Sequence, residues 1–380
     1  MQRLNAEHPL IADTLLSMTV NPSRKHLVLL GAGRTNLQVL KGLARQGTGD
    51  LNVTLVAPHP YYIDNIMLPG YVAGDYVLED IRIPLDALIE ASGAAFAPAH
   101  VQALDPAGRR VQLSSGDALP YDVLSIDVEP VMDRDQAEAT MPGARRNALF
   151  VRPLESFVQL WPQLHALSRE RALQVAVLGN GIPGVELAMA VAHALGHPHG
   201  SRVTLITGES ALLADQPPSL QRRVLDRLKQ LNITLLHDRC VGMDGRALQL
   251  ESGASLVCNA PLVAQGDTPP AWLAQAGLLD EESALPLVNE RLQSEHHRQV
   301  FIVPAEAPPE VGPVLEANLR TALLGGSFKK APLDTSRLRV VGSGDGRALA
   351  AWGPLSLEGR EVWNWKDRRD RRHLASLFRI

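Results

Sequence analysis

The 380-residue chain has little cysteine, few aromatics and no excess of positive charge, and each shortage removes a class of function. Its two cysteines, Cys240 and Cys258, are too few for a metal cluster and too far apart for a C-x-x-C redox pair. By default they are buried small hydrophobes, and no metal site is expected. Aromatics make up 4% of the residues and the formal net charge is −4, so there is no basic surface to attract a polyanion and nucleic acid is not an expected partner. No apolar run approaches the roughly 20 residues that cross a bilayer as a helix, and no charged-then-apolar signal segment opens the chain. The expectation is a cytoplasmic protein, at most peripheral at the inner face of a membrane.

What is present is 45% hydrophobic residues, enough for two domains with a core each. The most informative stretch, VAVLGNGIPGVELAMAVAHAL (Val175–Leu195), reads as an apolar strand, a glycine-rich turn and an amphipathic helix. Gly179, Gly181 and Gly184 form a complete G-x-G-x-x-G. In that pattern the glycines serve a tight turn, close approach of backbone to a pyrophosphate, and close packing of helix on strand. The helix start offers free N–H groups and a positive dipole end. A further strand, SRVTLIT (Ser201–Thr207), completes a βαβ unit.

About 150 residues upstream the same plan occurs in HLVLLGAGRTNLQVLKGLARQG followed by NVTLVAP. Here the spacing is Gly31-x-Gly33-x-x-Asn36, with asparagine in the place of the third glycine. Two such units fit an enzyme that brings two dinucleotides together. Neither second strand ends in the acid that would bind a ribose 2′-hydroxyl: one ends in Ala57-Pro58, the other in Thr207-Gly208, so the choice between NADH and NADPH stays open.

Between the units, YYIDNIMLPGYVAGDY (Tyr61–Tyr76) reads as an irregular, partly apolar loop of the kind that carries function. Each unit is followed by alternating apolar positions broken by turn residues, from Val101 to Val128 and from Ile233 to Gly266, which predicts an antiparallel meander. Met1–Arg24 is an extension with a short helical pattern at Leu10, Ile11, Leu15 and Leu16. Leu338–Ile380 reads as a small separate unit. It comprises a hairpin about Gly344-Asp345-Gly346 and an alternating EVWNW with Trp363 and Trp365 on one face. A basic helix follows, with a Leu374, Leu377, Phe378 stripe that either packs on protein or, with its arginines, meets an anionic membrane surface.

The ordering resembles the pyridine nucleotide-disulfide oxidoreductase superfamily, in particular its type II NADH dehydrogenase-like branch. It is similar to the flavoprotein module found fused ahead of selenide, water dikinase. The matching segments are LVLLGAGRTN, MLPGYVAG, LPYDVLSID, VLGNGIPGVELA, LVNERLQS, GPVLEANLRTALLGG and SGDGRALAAWGPLSLEGREVWNWKDRRDRR, nearly all of Lys25–Arg372.

The resemblance implies an α/β fold of two Rossmann-like domains with a small C-terminal α+β unit. FAD would lie in a discontinuous domain of residues 25–150 and 285–337, and NAD(P)H in residues 151–284. The extension is residues 1–24 and the terminal hairpin and helix 338–380. It also implies that Gly31, Gly33 and Asn36 face the FAD pyrophosphate, with Ala57 and Pro58 beside the adenosine. Met67, Leu68 and Pro69 would line the isoalloxazine ring, and Val311, Gly312 and Pro313 would open a helix aimed at the flavin. Gly179, Gly181 and Gly184 would hold NAD(P)H. Glu186 would lie near the nicotinamide as the catalytic candidate, or serve only as a first-turn glutamate favoured by the helix dipole.

The implied activity is electron transfer from NAD(P)H through FAD to a quinone or other small acceptor, with a homodimer and peripheral membrane contact as further expectations. The alternative is a non-catalytic nucleotide-binding or regulatory protein. Two departures from the family pattern keep it open: Phe301–Pro313 lacks a Gly-Asp pair, and the A-T-G type turn is replaced by Ile126-Asp127-Val128-Glu129-Pro130.

Overall fold

Largely apolar strands at Lys25–Leu30 and Gln174–Leu178 each become the centre of a five-stranded parallel sheet, because both faces of each are covered by helices or meanders. The computed structural model describes residues 24–196, 199–305, 307–333 and 338–379, so the helical pattern expected before Arg24 lies outside the described residues. In the first sheet the order is Val300–Ile302, Val123–Ile126, Lys25–Leu30, Leu51–Ala57, Ala95–Pro98. In the second it is Leu149–Phe150, Ala260–Val263, Gln174–Leu178, Arg202–Ile206, Thr234–Leu236. Both place the crevice at the carboxyl end of the central strand, where doubly wound sheets bind ligands.

The two meanders form as three-stranded antiparallel sheets, Val101–Asp105 with Arg110–Leu113 and Ala118–Pro120, and Cys240–Met243 with Ala247–Leu250 and Ser255–Val257. Their last apolar segments behave otherwise than alternation predicts. Val123–Ile126 and Ala260–Val263 are buried on both faces, and they leave the meanders to extend the parallel sheets. Val300–Ile302 returns from far along the chain to the edge of the first sheet, next to Val123–Ile126.

Two local expectations are corrected. Tyr61–Tyr76 is not an irregular loop but a short strand, Tyr61–Ile63, a turn, and a helix, Leu68–Ala73, that packs on the second fingerprint helix Ile182–Leu195. EVWNW is not a strand: Arg360–Phe378 is one helix, so Trp363 and Trp365, two residues apart, face different ways. The hairpin about Gly344–Gly346 does form, from Arg339–Gly342 and Ala348–Trp352, with a third strand at Leu355–Gly359.

Leu374 and Leu377 of the terminal helix are buried in the main core, which runs continuously beneath the helices of both nucleotide-type units. The stripe is therefore used on protein. No helix of the described residues is long and apolar enough to cross a membrane.

Candidate functional site: two glycine cradles

Both fingerprints form strand–turn–helix units, and the first begins with Gly31 at φ +85°, a left-handed conformation that favours glycine. Its N–H donates to Val56 O at 2.8 Å, which locks the turn onto the next strand. Gly33 caps the helix Arg34–Gln46 without contributing a side chain.

The helix end is nevertheless satisfied. The Asp127 carboxylate, from the turn after Val123–Ile126, accepts from Thr35 N and Asn36 N, both at 2.8 Å. A Cβ on Gly33 would fall on that carboxyl group, and one on Gly31 would fall on the Asp127 carbonyl oxygen. Burial pushes the Asp127 carboxyl up to about 6, against the pull of its two backbone donors. Two residues on, burial pushes Glu129 up to about 7 despite its ion pair with Arg152, which also bonds Asp267 at 2.9 Å.

Asn36 meets this cradle only through its N–H. Its side chain turns inward, donating to Leu30 O at 3.1 Å and Gly31 O at 2.9 Å and accepting from Ser125 Oγ at 2.7 Å. The asparagine thus replaces the helix–strand contact of a third glycine with hydrogen bonds. Ala57 is buried at the end of its strand beside Pro98, and Pro58 is exposed just beyond.

Arg34, the first helical residue, is a neighbour that glycine spacing does not reveal. It pairs with the fully buried Asp64, and its Nε donates to the Tyr62 hydroxyl at 3.0 Å. Asp64 Oδ1 in turn accepts from Ile66 N and Met67 N, each at 3.0 Å, and so fixes the start of the MLPG segment. Met67, 1% exposed, and Leu68 point into the core, while Pro69 is half-buried. Val311, Gly312 and Pro313 open the helix Val311–Leu324 as expected. Val311 is fully buried, and Gly312 lies so close to Gln38 of the first fingerprint helix that a Cβ there would collide with it.

The second cradle has the same parts and a different end. Gly184 packs within 3.0 Å of Gly179 and Gly179 within 3.0 Å of Ala264 O, measured to the Cβ each lacks, so these two glycines hold helix against strand. A Cβ on Gly181 would have Pro183 Cδ as its nearest neighbour, at 3.6 Å, and Gly181 itself brings no side chain to cap the helix Ile182–Leu195. Pro183, the second helical residue, has no N–H, so the backbone donors at this helix start are those of Ile182 and Gly184. Glu209 follows the second strand of this unit by three residues and lies 3.9 Å from Arg239, an acid that a reading of strand ends passes over.

Glu186 is 8% exposed, and its Oε1 accepts from Gly342 N at 2.6 Å, tying the second fingerprint helix to the C-terminal hairpin. Burial raises its pKa, with Lys366, itself in a buried 2.8 Å pair with Asp370, working the other way. On the terminal helix, Trp365, Arg368, Arg369, Arg372 and His373 line a cavity of about 420 Å³, where the buried His373 Nε2 has no hydrogen-bond partner. Cys240 and Cys258 are buried in the second meander, where burial pushes the Cys258 thiol up to about 11.

As a test of fit to two dinucleotides, the second cradle has the clearance at Gly181 that a diphosphate needs, with Ile182 N and Gly184 N as its backbone donors on either side of Pro183. The first has donors that suit an anion, since they already hold one, the Asp127 carboxylate.

Comparison with known proteins agrees with this architecture. The chain is 28% identical over 172 residues to an NADH dehydrogenase-like protein of Mycobacterium tuberculosis, a match covering 43% of this chain and 41% of that protein. It is 27% identical over 182 residues to the mitochondrial external NADH-ubiquinone oxidoreductase 2 of Saccharomyces cerevisiae, covering 43% and 33%. The matches thus span about two fifths or less of the lengths of these relatives. Among solved structures, the sulfide:quinone oxidoreductase of Aquifex aeolicus superposes with a TM-score of 0.74 at 19% identity, over 93% of this chain and 91% of that one. NDH2 of Plasmodium falciparum in complex with NADH gives 0.72 at 13%, over 93% and 97%. At such identities these two superpositions show the fold. The family model for pyridine nucleotide-disulphide oxidoreductases matches residues 25–305, spanning both cradles and both parallel sheets, and the chain belongs to that family.

Proposed function

We propose that the protein is an FAD-dependent NAD(P)H oxidoreductase that delivers electrons to a quinone or another small acceptor. The observation that carries this reading is the second cradle: a G-x-G-x-x-G turn at whose middle glycine a Cβ would meet only Pro183 Cδ, at 3.6 Å. The duplicated unit upstream and relatives named as NADH-quinone oxidoreductases support it. When bound, the two cofactors would supply the redox chemistry, hydride and electron transfer.

The chain's own contribution is positioning. Gly179, Gly181 and Gly184 would admit the NAD(P)H diphosphate to the second helix start. Gly31, Gly33 and the N–H of Asn36 would face that of FAD, with Ala57 and Pro58 beside its adenosine. Met67, Leu68 and Pro69, fixed by Asp64, would back the flavin ring, with Val311, Gly312 and Pro313 opening the helix aimed at it. Glu186 would lie near the nicotinamide. The domain boundaries given above belong to the same proposal. Arg368 and Arg372, on the same face, would favour a membrane surface carrying anionic lipid.

One observation favours a second reading, a nucleotide-binding protein without turnover: the first anion site is filled from within by Asp127. The absorption spectrum of the purified full chain, before and after incubation with excess FAD, separates the two, followed by anaerobic addition of NADH or NADPH. Flavin bands that bleach establish the oxidoreductase. A spectrum without flavin bands, unchanged by added FAD, removes it.

A further inference from the structure

Thr35 N and Asn36 N are the helix-start donors that a diphosphate would use in the first cradle, and both are taken by one carboxylate oxygen of Asp127. The backbone of Asp127 is held as firmly as its side chain. Its N–H donates to Leu30 O at 2.9 Å, and its carbonyl accepts from Gly33 N at 3.2 Å. The space that Gly31 and Gly33 keep clear of side chains is the space that Asp127 fills.

No ion pair involves Asp127 among the described residues, and the nearby carboxylate, Glu129, is matched by Arg152 rather than by a cation at the cradle. The arrangement satisfies the helix, as an N-cap from elsewhere in the chain. It is also uncomfortable for the carboxylate, which burial pushes up to about 6. At the corresponding glycine of the second unit, Gly181, a Cβ would meet no carboxylate, only Pro183 Cδ at 3.6 Å.

We propose that Asp127 is a resident competitor for the anion site of the first cradle, so that a dinucleotide diphosphate binds there only after the Asp127 side chain has left Thr35 and Asn36. This rests on the reading of the first unit as the FAD site and adds to it a control on loading. Side chain and diphosphate seek the same N–H groups and carry the same sign of charge. Cofactor affinity is then set by the fraction of molecules in which the site is open. The opening is a rotation of the Asp127 side chain that frees Thr35 N, Asn36 N and the space at Gly33, while the Asp127 carbonyl stays beside Gly31 and on Gly33 N. A site open in about a tenth of the molecules lowers apparent affinity about tenfold.

The test titrates FAD into the full-length parent, Asp127→Ala and Asp127→Asn at pH 7.5. Binding is read from quenching of flavin fluorescence and folding from thermal melts of the same samples. We expect Asp127→Ala to bind FAD at least about tenfold more tightly than the parent. Asp127→Asn, which keeps an acceptor oxygen but no charge, should fall between the two. Equal or weaker binding by a folded Asp127→Ala, with the parent binding FAD, overturns the competition and leaves Asp127 as a helix cap, while the flavin reading stands. Absence of FAD binding in the parent and both variants overturns the proposal together with the flavin reading. If Asp127→Ala fails to fold, Asp127→Asn decides alone: tighter binding than the parent supports competition, and unchanged or weaker binding overturns it.

Discussion

The two glycine fingerprints share a spacing, a strand–turn–helix plan and a place in their sheets, yet their helix starts differ in what stands in front of them. At the first, Asp127 answers the free N–H groups and fills the clearance left by Gly31 and Gly33. At the second, Pro183 removes one of the N–H groups, and a Cβ on Gly181 would meet nothing nearer than Pro183 Cδ at 3.6 Å. A fingerprint therefore specifies a backbone shape that can accept an anion. Whether the anion comes from a ligand or from the protein is decided elsewhere in the chain, here at the end of Val123–Ile126.

The sharpest way to break this comparison is Gly181→Val. Its side chain enters the open space of the second cradle, and loss of the close approach should weaken NAD(P)H binding by about a hundredfold or more, roughly 3 kcal/mol. Flavin content should be unchanged. Bleaching of the flavin by NADH or NADPH at parental concentrations would show that the reductant binds elsewhere.

Next in size is a contrast in stability. Gly31→Ala meets the Asp127 carbonyl at a positive φ and should cost about 3 kcal/mol or more in chemical denaturation. Gly181→Ala, at φ −89° with its nearest contact at 3.6 Å, should stay within about 0.5 kcal/mol of the parent. Equal losses at both sites would mean that the first cradle is as open as the second.

Glu186→Ala removes the acceptor of a buried Gly342 N–H and should destabilise the protein by about 1–3 kcal/mol, with Glu186→Gln closer to the parent. Stability unchanged in both variants, with kcat lowered, would move Glu186 from a structural tie to a role at the nicotinamide.

A smaller effect separates the cradles by pH. Asp127, raised from 3.8 to about 6, and Glu129, raised from 4.5 to about 7, bind protons more tightly folded than unfolded. The contribution of each is full below its unfolded value and is lost as pH rises through about 6 and 7. His26, His165 and His373, whose pKa values burial lowers, act in the opposite direction, so the test is the difference between proteins. The melting temperature of the flavin-free parent relative to Asp127→Asn should fall as pH rises through about 6, and a difference that is flat or rises there would contradict the assignment.

The smallest effect is expected from the double change Cys240→Ser and Cys258→Ser. Both thiols are buried in the meander away from either cradle, and NAD(P)H-driven acceptor reduction should stay within a few-fold. Collapse of turnover in a folded, flavin-loaded variant would require a thiol relay.

What could be read from sequence was local and periodic. Glycine spacing located both cradles, alternation located both meanders, and the Gly344–Gly346 turn located the terminal hairpin. Tyr61–Tyr76 escaped because a three-residue strand and a six-residue helix are shorter than any periodic window. EVWNW misled because alternation over five residues fits a strand as well as one turn of a buried-and-exposed helix. The Asp127 contact was beyond reach for a different reason. It joins residues 91 and 92 positions apart, and nothing in Ile126–Pro130 states which way a carboxylate will point. The departure from the family turn was visible; its target became clear only from the register of Val123–Ile126 on Lys25–Leu30.

The edge strand Val300–Ile302 has a consequence for the order of assembly. It supports Val123–Ile126, the strand that carries Asp127, yet it is synthesised after the whole second sheet. As the chain emerges, the later unit can complete its parallel sheet with contacts closed by Ala260–Val263, while the earlier one still lacks its outermost strand. Closing that gap spans well over a hundred residues, a distance that slows pairing unless the intervening unit has already condensed and brought the ends together. The unit begun first should therefore be finished last, and its cradle should be the part of the molecule most exposed to misassembly when synthesis is interrupted before Ile302.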